Sequence, residues 1–232
     1  MVYKIINNRY RIFVESLILA VVIFLIGFSI GYYVENYRNS SIASDYKNYE
    51  VLAWDLRILS ASLSSIDKIQ CESAIKEELS ISDKIYNTGL MLEKYEEASQ
   101  LTDSLMNEKK SYGLLKTELW FDSILLKNNC NKPFDTIVYF YQGNPKSSSI
   151  VAEQKIISNV LSDIKKKYGN SVILLPIVAD MDLASVNLQL SRYNISSVPA
   201  ILINEQTNLQ GFHSQSEIES HLSKIILNYK EN

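Results

Sequence analysis

Ser197-Val198-Pro199-Ala200, running directly into Ile201-Leu202-Ile203, decides how the C-terminal part of this chain is read. Proline lacks the backbone N–H that a central strand would use, so by itself this proline reads as the start of a strand. The elements around it say more. Residues 134–141 alternate and are rich in β-branched and aromatic side chains, which predicts a strand. Within 149–168, Val151, Ile156, Ile157, Val160, Leu161 and Ile164 recur at helical spacing, and Gly169-Asn170 supplies a C-cap. Residues 172–178 are almost wholly apolar, the pattern of a strand buried on both faces. A short helix over 183–193, a strand over 200–204 and a hairpin partner over 209–212 follow. Ser214-Gln215-Ser216-Glu217 is a capping box opening a last helix that packs through Ile218, Leu222, Ile225 and Ile226.

Strand, helix, strand, helix, hairpin, helix describes an α/β sandwich whose βαβ crossover, normally right-handed, gives a parallel pair. Val178-Ala179-Asp180-Met181-Asp182 ends the central strand, Ser191-Arg192-Tyr193-Asn194-Ile195 ends the next helix, and Ser197-Val198-Pro199-Ala200 follows. In this arrangement residues 132–232 resemble the thioredoxin fold. The resemblance implies a cis proline at Pro199, and a loop through Val198 and Pro199 that pairs with the backbone of a bound peptide.

The same resemblance shows a departure. A redox-active member carries Cys-x-x-Cys after its first strand, where helix-terminal amides lower a thiol pKa. Here that place holds Gln142-Gly143-Asn144-Pro145-Lys146-Ser147-Ser148-Ser149. A serine hydroxyl forms no disulfide, so dithiol exchange is chemically unavailable at this turn. Ser147, Ser148 and Ser149 read either as a vestigial active-site turn that binds peptide or anion, or as a plain turn followed by an N-cap. No other catalytic constellation compensates. His213 and His221 read as surface residues, and neither a metal site nor a cofactor is expected.

The N-terminus differs in character. Residues 16–34 carry no charge and centre on Leu17-Ile18-Leu19-Ala20-Val21-Val22-Ile23-Phe24-Leu25-Ile26. A bilayer is spanned by about 20 apolar residues, whereas a cleaved signal peptide has an apolar region of about 7–15 residues and a small-residue cleavage site. This run ends in Tyr32-Tyr33, which favours an uncleaved signal anchor over 12–34. Lys4, Arg9 and Arg11 precede it, so the positive-inside rule puts 1–11 in the cytoplasm and the rest outside. Glu15 reads as interfacial, reaching headgroups or Arg11. Gly27 and Gly31 share a helix face and permit homo-oligomer contact in a membrane.

Residues 35–131 predict an α-helical hairpin or bundle with coiled-coil-like seams. Tyr49, Leu52, Leu56, Leu59, Leu63 and Ile66 form the first. Ile81, Ile85, Leu92 and Tyr95 mark a helix over 72–97, with Gly89 inside it. Leu105, Tyr112, Leu115, Leu119 and Leu126 mark another over 101–127. A closed bundle and pairing with a second copy both fit. Cys71 starts the second helix and Cys130 follows the third, so antiparallel packing brings them to one end. Outside the cytoplasm such a pair reads as one structural bridge; two unrelated thiols, or a redox pair, are the other readings. Asn39-Ser40-Ser41 and Asn194-Ile195-Ser196 match the glycosylation sequon.

Formal net charge is -3, which gives no electrostatic reason to expect nucleic acid. The whole plan is similar to membrane-anchored thioredoxin-like proteins of prokaryotes, archaeal ones in particular. That implies a membrane-tethered, extracytoplasmic, redox-inactive module that binds extended polypeptide, with thiol–disulfide exchange through Cys71 and Cys130 or a partner's cysteines as the rival.

Overall fold

A computed structural model describes residues 2–63, 69–98, 103–131 and 134–222, with side chains at 10–34, 51–63, 69–90, 109–131 and 134–222. Ile66, Leu101, Ile225 and Ile226, together with the side chains of Asn39, Tyr49, Leu92, Tyr95 and Leu105, lie outside what is described. The chain divides into two compact units, Met1–Val51 and Leu52–Asn232.

The first unit belongs to a helix, α1 (Val2–Leu63), where two helical segments were expected. Its stretch Tyr10–Val34 is long and apolar enough to cross a membrane, a property it shares with signal sequences. Arg11 Nε donates to Glu15 Oε1 at 2.9 Å, the pairing expected of an interfacial glutamate. A Cβ on Gly27 or Gly31 would meet nothing within 4 Å.

In the second unit, α1 contributes its C-terminal turns through buried Leu56 and Leu63. There follow α2 (Cys71–Ala98), α3 (Asp103–Asn129), β1 (Asp135–Tyr141), α4 (Ser148–Tyr168), β2 (Val172–Val178), α5 (Ala184–Arg192), β3 (Ala200–Ile203), β4 (Thr207–Gln210) and α6 (Gln215–Ser220). The sheet order is β2-β1-β3-β4, with β1 parallel to β2 and antiparallel to β3. With β3 also antiparallel to β4, the four strands form one mixed sheet.

Period-two alternation sends successive side chains to opposite faces. On one face Ile137, Tyr139, Leu174, Ile201 and Ile203 meet Ile157, Leu161 and Ile164 of α4 and Ile218 of α6. The other face carries Phe140, whose ring lies 5.9 Å from Trp120 of α3, itself 5.7 Å from Tyr193 just beyond α5. Trp120 is fully buried, and its indole donates to Glu205 Oε1 at 2.8 Å, so its polar atom is satisfied.

Strand β2 lies at the edge of the sheet. Ala179 N–H donates to Tyr141 O at 2.8 Å, so alternation turns the backbone groups of Val172, Leu174, Pro176 and Val178 away from β1. An open edge of this kind invites pairing with another chain. Pro176 offers no donor there, and its carbonyl accepts from Lys116 Nζ of α3. Lys165 Nζ donates to Val172 O at 3.0 Å and pairs with Asp83 of α2 at 3.1 Å. The two lysines and the helices behind them therefore cover the edge that a further strand would occupy.

Two boundaries differ from the sequence expectation. The hairpin partner is Thr207–Gln210 rather than 209–212, because Gln206 N–H closes on Ile203 O with both Asn204 (φ 52°) and Glu205 (φ 57°) left-handed. That is a type I′ arrangement, which glutamate does not advertise. Trp120, Thr136 and Lys127 all bond the Glu205 carboxylate and hold the turn. The last helix is described to Ser220, with Ile218 and Leu222 buried as expected. Its cap forms: Ser214 Oγ accepts from Glu217 N–H at 3.3 Å. We expect Ser214→Ala to lower stability by about 1 kcal/mol, read as a reduced denaturation midpoint with unchanged slope.

Candidate functional site

The turn that leaves the C-terminal end of β1 is fixed by its neighbours. Gln154 of α4 reaches back to Gln142, accepting from its N–H at 2.9 Å and donating to its carbonyl at 3.1 Å, as a pairing strand would. Gly143 N–H donates to Asp180 Oδ1 at 2.8 Å, just beyond β2. A Cβ at Gly143 would sit 2.7 Å from Val178 Cγ1, so only glycine lets the turn approach β2 this closely.

Ser147 occupies the N-cap of α4 with extended backbone, φ -100° and ψ 130°, but its hydroxyl makes no capping bond. It pairs with the Ser149 hydroxyl at 2.7 Å instead. The capping role expected of this serine run is therefore not performed by the Ser147 side chain. Ser147, Ser148 and Ser149 are all exposed.

On the other side of β1, the pairing of Phe140 with Ala200 brings the residues preceding β3 alongside the same strand end. The Val198–Pro199 peptide bond is cis, as the resemblance implies. Pro199 is buried and its carbonyl accepts from Gly211 N–H at 2.8 Å. Upstream, Gln210 Oε1 accepts from Ser196 Oγ (3.1 Å), Ser197 Oγ (2.8 Å) and Ser197 N–H (3.2 Å). Val198 lies between these two braces. Among the described residues neither its N–H nor its C=O has a hydrogen-bond partner, and its side chain is half-buried. The result is a loop hydrogen-bonded on both sides of Val198, near the end of β1 from which the serine turn leaves.

Cys71 and Cys130 are joined in a disulfide, with Cα atoms 5.6 Å apart. Cys130 precedes the start of β1, where Lys127 already bonds Thr136, whereas the serine turn leaves its far end. Seven residues of strand at about 3.3 Å each separate the two ends by roughly 20 Å. These are the chain's two cysteines, so its own sulfur chemistry lies remote from the turn.

His213 Nδ1 lies 2.9 Å from Glu217 Oε1, and His221 caps the C-terminus of α6. Among the described residues no group of three or more His, Cys, Asp or Glu side chains converges on a common point.

The sequence reading missed a cavity of about 470 Å³ on the β2 side of the turn, between α2, α3, α4 and the ends of β1 and β2. Its clearest sequence signal is Gly89, where a Cβ would stand 2.7 Å from Tyr112 Oη. Without a side chain there, Tyr112 reaches across to donate to Ile85 O.

No protein-family model matches the chain, and no curated protein matches it either. Among solved structures, thioredoxin O2 from Arabidopsis thaliana in the oxidised state is similar at 13% identity, covering 45% of this chain and 84% of that one, with a TM-score of 0.30. The thioredoxin likeness of this chain is carried by its own strand order and by the position of Pro199 before β3.

Proposed function

We propose that this protein is a membrane-tethered, extracytoplasmic thioredoxin-like module that docks extended polypeptide at Val198–Pro199, in a chaperone or assembly role, without dithiol exchange. The observation that carries this reading is the N–H and C=O of Val198, both without a partner among the described residues, braced on both sides and near the end of β1. A backbone N–H and C=O presented together are what an added strand needs, and main-chain pairing supplies affinity without demanding one client sequence. The apolar stretch Tyr10–Val34 supports the tether, and the basic residues before it support a cytoplasmic N-terminus. Gly27 and Gly31, or the helical segment, would serve a homo-oligomer.

The rival, thiol–disulfide exchange through Cys71 and Cys130, predicts catalysed reduction of insulin. In phosphatidylcholine nanodiscs the full chain should leave insulin reduction by dithiothreitol at the rate of empty nanodiscs, yet bind reduced, carboxymethylated α-lactalbumin, which offers extended backbone and no thiol. Catalysis that disappears in Cys71→Ser would replace docking by redox chemistry; failure to bind the unfolded chain would remove the docking reading itself.

A further inference from the structure

The sequon Asn194-Ile195-Ser196 falls where the fold leaves its acceptor atom free. Asn194 follows α5 with φ 53°, in the left-handed region. Its backbone is fully engaged: the N–H donates to Ser191 O at 3.2 Å, and the carbonyl accepts from Asn208 Nδ2 at 3.2 Å and Gln210 Nε2 at 3.4 Å. Its side chain is not. Three other asparagines commit their amides inside the protein, Asn129 to Leu63 O, Asn204 to Asp135 and Asn208 to Tyr193 O. Asn194 is exposed, and among the described residues its side-chain amide has no hydrogen-bond partner.

The left-handed turn by itself accounts for an asparagine backbone here, but not for the serine two residues on. Ser196 Oγ donates to Gln210 Oε1 at 3.1 Å, an oxygen that already takes the Ser197 hydroxyl at 2.8 Å and the Ser197 N–H at 3.2 Å. An amide oxygen has two lone pairs, so the Ser196 hydroxyl is surplus to this brace. A free amide and a surplus hydroxyl two residues apart are the pair that an oligosaccharyltransferase reads. We infer that Asn194 is a modification site that accepts an N-linked oligosaccharide. In the transfer, the bond between the first sugar carbon and the phosphate oxygen of a polyprenyl diphosphate-linked oligosaccharide breaks. A bond from Asn194 Nδ2 to that carbon replaces it, Nδ2 gives up one proton, and the polyprenyl diphosphate leaves with the electron pair. Ile195 is buried, so the transfer belongs to the nascent chain before this segment packs, and the fold then holds the sugar in solvent. The inference rests on the extracytoplasmic reading, since the acceptor must lie on the transferase's side of the membrane.

Translation of the full chain into microsomes that carry an oligosaccharyltransferase tests it, in an Asn39→Gln background so that Asn194 is the remaining sequon. We expect one step of reduced gel mobility that endoglycosidase H removes. Asn194→Gly, which keeps the left-handed turn, and Ser196→Ala should each abolish the step, whereas Ser196→Thr should keep it. Proteinase K added outside intact microsomes separates the two readings. A protected chain without the step, or a step that survives Asn194→Gly, would overturn the modification and leave the location standing. A digested chain would overturn the location, and the modification with it. The glycosylated and endoglycosidase-treated proteins should also unfold at the same denaturant concentration. A lower midpoint with the sugar attached would contradict its placement in solvent.

Discussion

Replacing Cys71 and Cys130 together by alanine is expected to lower the unfolding free energy of the Leu52–Asn232 unit by about 4 kcal/mol. The bridge spans 59 residues of sequence, and closing a loop of that length removes about 14 cal/mol/K of entropy from the unfolded chain, or about 4 kcal/mol at room temperature. That is a large share of the roughly 5–15 kcal/mol that stabilises a typical domain. The location increases the consequence. The disulfide ties the start of α2 to the end of α3, and these helices cover the outer edge of β2 through Lys116 and the Asp83–Lys165 pair. Once the clasp is gone, local opening of the hairpin should expose that edge before the whole unit unfolds. Denaturation midpoints for the double variant and the unaltered chain in the same detergent give the magnitude. Limited proteolysis should cut the variant first within α2 or α3. Equal midpoints would mean that the bridge is incidental to stability.

The second large effect depends on pH. Between the end of α1, α2 and α3, Glu78 and Asp122 are completely buried. Burial pushes Glu78 up to about 8, with nearby Asp122 adding to the rise and Ser123 opposing it. Asp122 is pushed to about 6, also mainly by burial, against a hydrogen bond from Ser60 and with Glu118 adding to the rise. The geometry suits a protonated Glu78. Ser123 Oγ is 2.9 Å from Glu78 Oε1 and 2.8 Å from Leu119 O, and its single hydrogen serves one acceptor. A neutral glutamic acid donates to Ser123, which in turn donates to Leu119.

The direction follows from proton binding. Below pH 4.5 Glu78 is protonated in folded and unfolded chains alike, and the folded state keeps its full stability. Between 4.5 and 8 the unfolded chain ionises while the folded chain holds its proton, so stability falls as pH rises. At about 1.4 kcal/mol per pH unit, the loss reaches up to about 5 kcal/mol above pH 8. Glu78→Gln keeps the shape and stays neutral, so it should remove most of this slope and leave the variant more stable than the unaltered chain near pH 9. Denaturation midpoints near pH 5, 7 and 9 for both proteins check it. Parallel profiles would show that Glu78 holds no proton in the fold.

Much of this architecture is legible in the sequence because local signals and burial agree. The apolar run 172–178, the Gly169 stop and the Ser214 cap all appear where periodicity and capping chemistry put them. The unpaired loop at Pro199 is legible only through the order of the elements around it. Other features depend on contacts far apart in sequence. Val151 and Ile156 share the helical repeat with Ile157, yet both are about half exposed, because α4 buries a narrower stripe than its apolar pattern suggests. Pro176 reads as an ordinary strand residue until Lys116, 60 positions upstream, is found on its carbonyl. The cavity is still less visible, since its walls come from five elements and only Gly89 hints that one side chain must pass another. The buried pair Glu78 and Asp122 resembles the polar face of any helix until the tail of α1 covers it.

The docking reading stands or falls on the backbone of one residue, Val198. Amide hydrogen exchange across residues 196–200 of the full chain in nanodiscs, with and without reduced, carboxymethylated α-lactalbumin, tests it directly. A strand added at this loop would take up the Val198 N–H, so exchange there should slow by at least about tenfold at saturating polypeptide, while the serine turn at 147–149 changes less. Unchanged exchange at Val198 with the polypeptide demonstrably bound would place the client elsewhere on the molecule and contradict the proposal.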